Sequence, residues 1–237
     1  QQIAFLDNKS DGMIAGGLLV VAAADTGAVV SSPQPMFADA EFAWSPDGRH
    51  IAWTDSRSDV SPVAVNAYEV GTASMPVAKD TNAFSVTYSK DGRAILFSNG
   101  DASGQDFTAI PFAIRAGGIY SVATPTAATA LFTKPGSYYA DVAALDSGAV
   151  AFTEQHADDS AKTIRVLDAG SSLPRTTVTN VTTDGPGPAW GPGDFVAYLD
   201  TSPGGSLVVT DRENRAPRQI DTNVDAFAWP ARTSAPG

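Results

Sequence analysis

Apolar residues in this chain come in short runs that alternate with small or polar residues. Turn-forming residues break the runs every few positions, which is the pattern of strands rather than helices. Phe42-Ala43-Trp44 and Ile51-Ala52-Trp53 flank Ser45-Pro46-Asp47-Gly48. That tetrapeptide suits a type I turn, because proline presets φ at its second position and glycine tolerates the last. The ten residues from Trp44 to Trp53 recur as Tyr88 to Phe97, 44 positions later, and in weaker form at Ala144 to Phe152 and Trp190 to Tyr198. A period of this size marks a repeat architecture.

Each hairpin is paired with a second one. Leu18-Leu-Val-Val-Ala leads through Asp25-Thr-Gly to Ala28-Val-Val, and Val65 to Val70 leads through Gly71-Thr to Met75-Pro-Val-Ala. Ile119 to Val122 is followed by Ala130-Leu-Phe, Ile164 to Leu167 by Thr176-Thr-Val, and Leu207 to Thr210 by Arg218-Gln-Ile. One unit therefore holds four short strands, the blade of a β-propeller. The expected fold class is all-β: five four-stranded blades in a single domain over 1–237, with 231–237 a flexible tail or closing loop.

The chain opens on a second strand, Gln2-Ile3-Ala4-Phe5, and ends on an inner strand, Asp225 to Trp229. Paired with each other, these strands would complete one blade and close the ring, leaving no exposed sheet edge. The second-strand positions Ile3, Ile51, Ile95, Val150 and Val196 are separated by 48, 44, 55 and 46 residues, and a further 44 lead from Val196 through the C-terminus back to Ile3. Five spacings fill the chain; the alternative is a fragment of a larger propeller, in which the apparent closure is accidental. A start in mid-strand also suggests a trimmed N-terminus. The spacing of 55 marks an insertion between Asn99 and Gly118, polar at first and then apolar, with Phe107, Ile110, Phe112 and Ile114. Phe107, Ile110 and Phe112 are candidate partner-binding residues on that loop; the alternative is a loop that folds back over its own blade.

Trp-Ser-Pro-Asp-Gly-Arg-x-Ile-Ala-Trp resembles the repeat of TolB-like propellers, a WD-repeat-like class with a Ser-Pro-Asp-Gly turn in each blade. The second blade matches it closely, and the third matches with Lys90 in place of proline. The resemblance implies an extracytoplasmic protein, periplasmic or attached to the cell envelope, of a kind that includes scaffolds, sensor-like domains and propellers joined to peptidases or lipoproteins. Its implied partner is another protein or a cell-envelope component. Members typically carry six blades, whereas this chain fits five. The alanine-rich, lysine-poor composition associates it with bacteria.

Composition narrows the choices. Of 237 residues, 43% are hydrophobic and 17% charged, so a sizeable core is available. A formal net charge of −11 argues against binding nucleic acid, which needs clustered Lys and Arg. The chain has no cysteine, so disulfides, thiolate metal sites and thiol catalysis are excluded. No apolar run approaches the roughly 18 residues of a membrane-spanning helix. The two histidines, His50 beside a turn and His156 in an acidic loop, read as surface residues; there is no Gly-x-Ser-x-Gly elbow and no zinc-ligand spacing. Gly185 to Gly193 is glycine-rich, but its prolines remove the amides a phosphate cradle needs.

The inner strands of a propeller start near one mouth of the central channel. The equivalent stretches carry Asp39 and Glu41, Asn82 and Ser85, Tyr138 and Asp141, Asp184, and Asn223 and Asp225. Converging carboxylates either raise one another's pKa or recruit a cation such as calcium. Asp39, Glu41, Asn82, Asp141, Asp184 and Asp225 form the candidate site for a cation or polar ligand, with a solvated acidic rim as the alternative. No cofactor is otherwise expected. The leading reading is a non-enzymatic binding propeller. A glycoside hydrolase using Asp39, Glu41 and Asp141 as axial carboxylates and an accessory domain of a larger lipoprotein or kinase are the alternatives.

Overall fold

A computed structural model describes residues 1–7, 16–31, 34–37, 41–55, 63–72, 75–81, 83–100, 117–123, 127–156, 161–182, 186–201, 205–224 and 227. They divide into two compact units, residues 1–144 and 145–237. Every hydrogen-bonded strand pair described below is antiparallel and joins neighbours in the chain. A single turn of 3-10 helix, Pro192–Asp194, is the only helical element among the described residues.

The first unit begins with a three-stranded sheet, β1 (Gln2–Asp7), β2 (Gly16–Ala23) and β3 (Gln34–Phe37). A four-stranded sheet follows: β4 (Phe42–Trp44), β5 (His50–Asp55), β6 (Val63–Glu69) and β7 (Met75–Thr81). The next has β8 (Ala83–Tyr88), β9 (Ile95–Asn99), β10 (Gly118–Val122) and β11 (Thr129–Thr133). β12 (Ser137–Ala144) ends the unit and packs along β8 and β9. The second unit holds β13 (Val150–His156), β14 (Ala161–Leu167) and β15 (Arg175–Thr182), then a four-stranded sheet of β16 (Ala189–Trp190), β17 (Phe195–Leu199), β18 (Ser206–Asp211) and β19 (Arg218–Thr222).

Period-2 alternation explains the packing, because successive residues of a strand face opposite sides of the sheet. Ile51 and Trp53 join Leu19, Val21 and Tyr68 in one buried cluster, with Phe42 and Trp44 against it. Ala52, between them, faces the other way into a cluster with Val65, Val86, Phe97 and Tyr120. The β4–β7 sheet thus buries one face on the sheet before it and the other on the sheet after it. Aromatic pairs fill these layers: Trp53 meets Tyr68 edge-on at 5.5 Å, and Phe97 stacks on Tyr120 at 5.4 Å. In the second unit Ile164, Val178 and Val181 pack against Val196, Tyr198 and Val208 in the same manner.

The repeated tetrapeptides form the expected turns. The Gly48 amide donates to the Ser45 carbonyl at 2.9 Å, and Gly92 to Ser89 at the same distance, with φ of +69° and +71° at the two glycines. The serine hydroxyl donates to the aspartate two residues on, Ser45 to Asp47 and Ser89 to Asp91. That carboxylate also accepts the amide of Arg49 or Arg93, and the hydroxyl oxygen accepts the amide of His50 or Ala94. The serine bond first, and the arginine amide next, hold both carboxyls below the usual aspartate value. Burial pushes the Tyr88 phenol up, and the nearby Asp47 charge adds to it.

One strand lies elsewhere than expected. The outer strand anticipated at Ala28-Val-Val forms only an isolated bridge, Val29 to Ala22, and Val29 stays 59% exposed. Ser31 instead shares a hydrogen bond with the Tyr68 hydroxyl of the next sheet (3.1 Å), which ties this stretch away, and pairing with β2 resumes at Gln34. The closing strand expected over 225–229 lies, apart from 227, outside the described residues, as do the tail 231–237 and the insertion residues Phe107, Ile110 and Phe112.

Candidate binding site

In an antiparallel meander the first strand of a sheet begins at the end where the second finishes and the third begins. In the two four-stranded sheets of the first unit that end carries the connections 56–62 and 100–117, the latter being the longer. The opposite end carries the tight turns 45–49, 70–74 and 89–94. The edge strand β8 packs against both β4 and β12, so the starts of these three strands lie near one another.

Two of the six expected ligand residues, Glu41 and Asp141, are described; Asp39, Asn82, Asp184 and Asp225 lie outside the described residues. Glu41 precedes β4 and is exposed. Its backbone is fixed by Thr54 of β5, whose hydroxyl accepts the Glu41 amide at 3.2 Å and whose amide donates to the Glu41 carbonyl at 3.0 Å. Ser85 occupies the same place in the next sheet, its amide bonded to the Ser98 hydroxyl at 3.1 Å. Ser85 is buried rather than presented to a ligand, and its hydroxyl accepts the Val142 amide of β12 at 2.9 Å. This bond places Asp141 one residue away, in a left-handed conformation with φ of +52°. A non-glycine residue in that region marks a local distortion of the strand. Among the described residues no group of three or more His, Cys, Asp or Glu side chains stands close enough to hold a metal ion.

Beside these groups lies an exposed aromatic pair. Phe84 and Tyr138, near the starts of β8 and β12, are each 40% exposed, with ring centroids 6.4 Å apart and planes at 78°. A cleft of about 620 Å³ lies at the opposite end, lined by Trp44, Arg49, Glu69 and the first two glutamines, and holds none of the expected site residues.

A second set of polar residues escaped the sequence reading. Four positions after each repeat isoleucine or valine stand Asp7, Asp55 and Asn99 in the first unit and Glu154 and Asp200 in the second. The signal was this constant offset. Those whose bonds are seen serve the fold. Asn99 is fully buried and donates to the Gly100 carbonyl at 3.0 Å, and Asp200 accepts the Ser206 amide at 3.1 Å. Glu154, buried at 3% side-chain exposure, accepts from Arg165 Nε at 2.7 Å, and His156 Nε2 lies 3.8 Å from it. His156 therefore ends a strand and faces a buried carboxylate, where an acidic loop had been expected.

The comparisons with known proteins agree on fold. No protein-family model matches the chain, and no curated protein matches it significantly. A crystal structure of TolB from Acinetobacter baumannii superposes with a TM-score of 0.65 at 16% identity, covering 93% of this chain and 51% of TolB. A puromycin-hydrolysing peptidase of Mycobacterium tuberculosis gives 0.63 at 16% identity over 94% of this chain and 37% of the peptidase. A nidogen/laminin complex structure gives 0.63 at 10% identity over 96% of this chain. The chain thus spans about half the length of that TolB and just over a third of the peptidase. Its fold is that of a TolB-like β-propeller.

Proposed function

We propose that the chain is a non-enzymatic binding propeller that acts outside the cytoplasm, on another protein or a cell-envelope component. The observation that carries this reading is the difference between the two ends of the first unit. One end is built from repeated, self-bonded turns. The other gathers the longest connection, exposed Glu41, Asp141 and the exposed Phe84–Tyr138 pair. Binding residues concentrate on loops held by a rigid scaffold. The TolB-like turn motif and fold support the extracytoplasmic setting. Asp39, Asn82, Asp184 and Asp225 would extend the acidic mouth, and Phe107, Ile110 and Phe112 would extend the surface along the insertion.

We also infer a single domain of five blades closed by residues 225–229 on β1. The five similar spacings, one lengthened by the insertion, support it, and so does the boundary between the compact units, which falls within a repeat copy, Ala144 to Phe152. One observation favours a second reading, a propeller carried beside a catalytic domain: 94% of the chain superposes on a peptidase more than twice as long. The hydrolase reading has no comparable support. Replacing 101–116 by a short Gly-Ser linker and comparing the envelope proteins retained by each form tests the binding surface. Loss of a retained protein is expected, and an unchanged set counts against the insertion. Calorimetric titration with calcium chloride tests the acidic mouth for a cation.

A further inference from the structure

We infer that the Phe84–Tyr138 pair receives an arginine side chain from a basic peptide segment of a partner protein. The inference rests on the binding-end reading above and names the chemistry of the partner. Large aromatic side chains normally hide, yet these two rings stay 40% exposed near the starts of adjacent edge strands, while their chain neighbours Ala83, Ser85, Ser137 and Tyr139 are all buried. The rings meet edge to face at 6.4 Å and 78°. This geometry satisfies the edge of one ring and leaves aromatic face available to a ligand. The buried bond from the Val142 amide to Ser85, with Ser85 next to Phe84 in one strand and Val142 next to Asp141 in the other, holds the two strands in register.

Charge selects the occupant. A ring face attracts cations, and a guanidinium stacks on it better than an ammonium. Asp141 stands three residues from Tyr138, exposed Glu41 precedes the neighbouring strand β4, and the whole chain carries −11. Such a field draws in a basic segment and repels nucleic acid, anionic lipid and acidic peptides. A purely aliphatic ligand would gain nothing from the carboxylates. An arginine-bearing segment uses both features.

The test is calorimetric titration of the whole protein with hexa-arginine, hexalysine and hexaglutamate peptides at low and at physiological salt. Hexa-arginine is expected to bind more tightly than hexalysine, and hexaglutamate not at all. Phe84→Leu and Tyr138→Leu keep apolar area and the fold, verified by circular dichroism, but remove the ring face. Each should weaken hexa-arginine about fivefold and abolish the preference over lysine. Asp91→Asn, at the turn end, should leave both affinities unchanged. Equal binding of hexa-arginine by wild type and both leucine variants would overturn the proposal, as would its failure to bind at all. Envelope proteins still retained through the 101–116 segment would then leave the binding-end reading standing, whereas their absence as well would remove both.

Discussion

Asp194 offers a sharp test of how successive turns are braced in the second unit. Its carboxylate, with the side chain 9% exposed, accepts the Asp146 amide at 2.7 Å and the Ser147 amide at 3.3 Å, and it lies 3.6 Å from Arg212. Asp146 returns the contact by accepting the Gly193 amide at 3.0 Å. Asp194 itself has φ of +61°, a conformation that asparagine and glycine tolerate and alanine does not. In Asp194→Ala the short bond to Asp146 is a charge-assisted contact worth about 1.5–3 kcal/mol. The longer bond and the partly exposed arginine contribute under about 1 kcal/mol each. Left-handed alanine costs about 1 kcal/mol. The total loss is about 2.5–6 kcal/mol. Asp194→Asn keeps an acceptor oxygen and the backbone preference and should lose about 1 kcal/mol. Asp194→Gly should fall between them, because relief of the left-handed strain outweighs the entropy glycine adds to the unfolded chain. Urea denaturation followed by fluorescence, to which Trp190 of this unit contributes, measures the series. An asparagine variant as unstable as the alanine variant, or an alanine variant within about 0.5 kcal/mol of wild type, would refute the reasoning.

Other consequences follow from particular contacts. Ser85→Ala leaves the buried Val142 amide without its acceptor and should cost about 1–3 kcal/mol in urea denaturation; no loss would mean the bond between β8 and β12 is not formed. Gly118→Ala places a Cβ 2.1 Å from the Phe132 carbonyl oxygen, a backbone atom that cannot swing aside, and should destabilise by about 2–3 kcal/mol. The carboxyls of Asp47, Asp91 and Asp211 are held low, the last chiefly by the Arg215 amide and then its guanidinium. Groups with depressed folded values stabilise the fold above their unfolded value of about 3.9, and that stabilisation is lost as pH falls through the lower folded value. The stability gap between wild type and Asp91→Asn should therefore be widest at neutral pH and close as pH falls below the ordinary aspartate value; a gap that does not change with pH would contradict this assignment.

Much of the fold was legible because its signals are local. Proline, aspartate and glycine at 46–48 specify a turn through backbone preferences and near-neighbour bonds, and the alternation Ile51-Ala52-Trp53 assigns residues to opposite faces of a sheet. What stayed hidden depends on partners distant in the chain. Ser31 leaves its strand for Tyr68, 37 residues away, and nothing near Val29 announces it. Ser85 reads as a polar residue at a channel mouth, yet its hydroxyl is used by Val142, 57 residues on. Asp194 serves Asp146 across a similar separation. The candidate site was legible in residue type and general place, as with Glu41 and Asp141. The aromatic pair was not, because Phe84 and Tyr138 look like ordinary strand residues until two strands bring their exposed rings together.

The central claim is that the end bearing the long connections, and not the turn end, is the binding surface. Site-specific photo-cross-linking measures it directly. A benzoylphenylalanine at Tyr138 should capture an envelope protein in intact cells, while the same probe at Asp91 or Arg93 should capture none. Capture from the turn-end positions with none from Tyr138 would contradict the account.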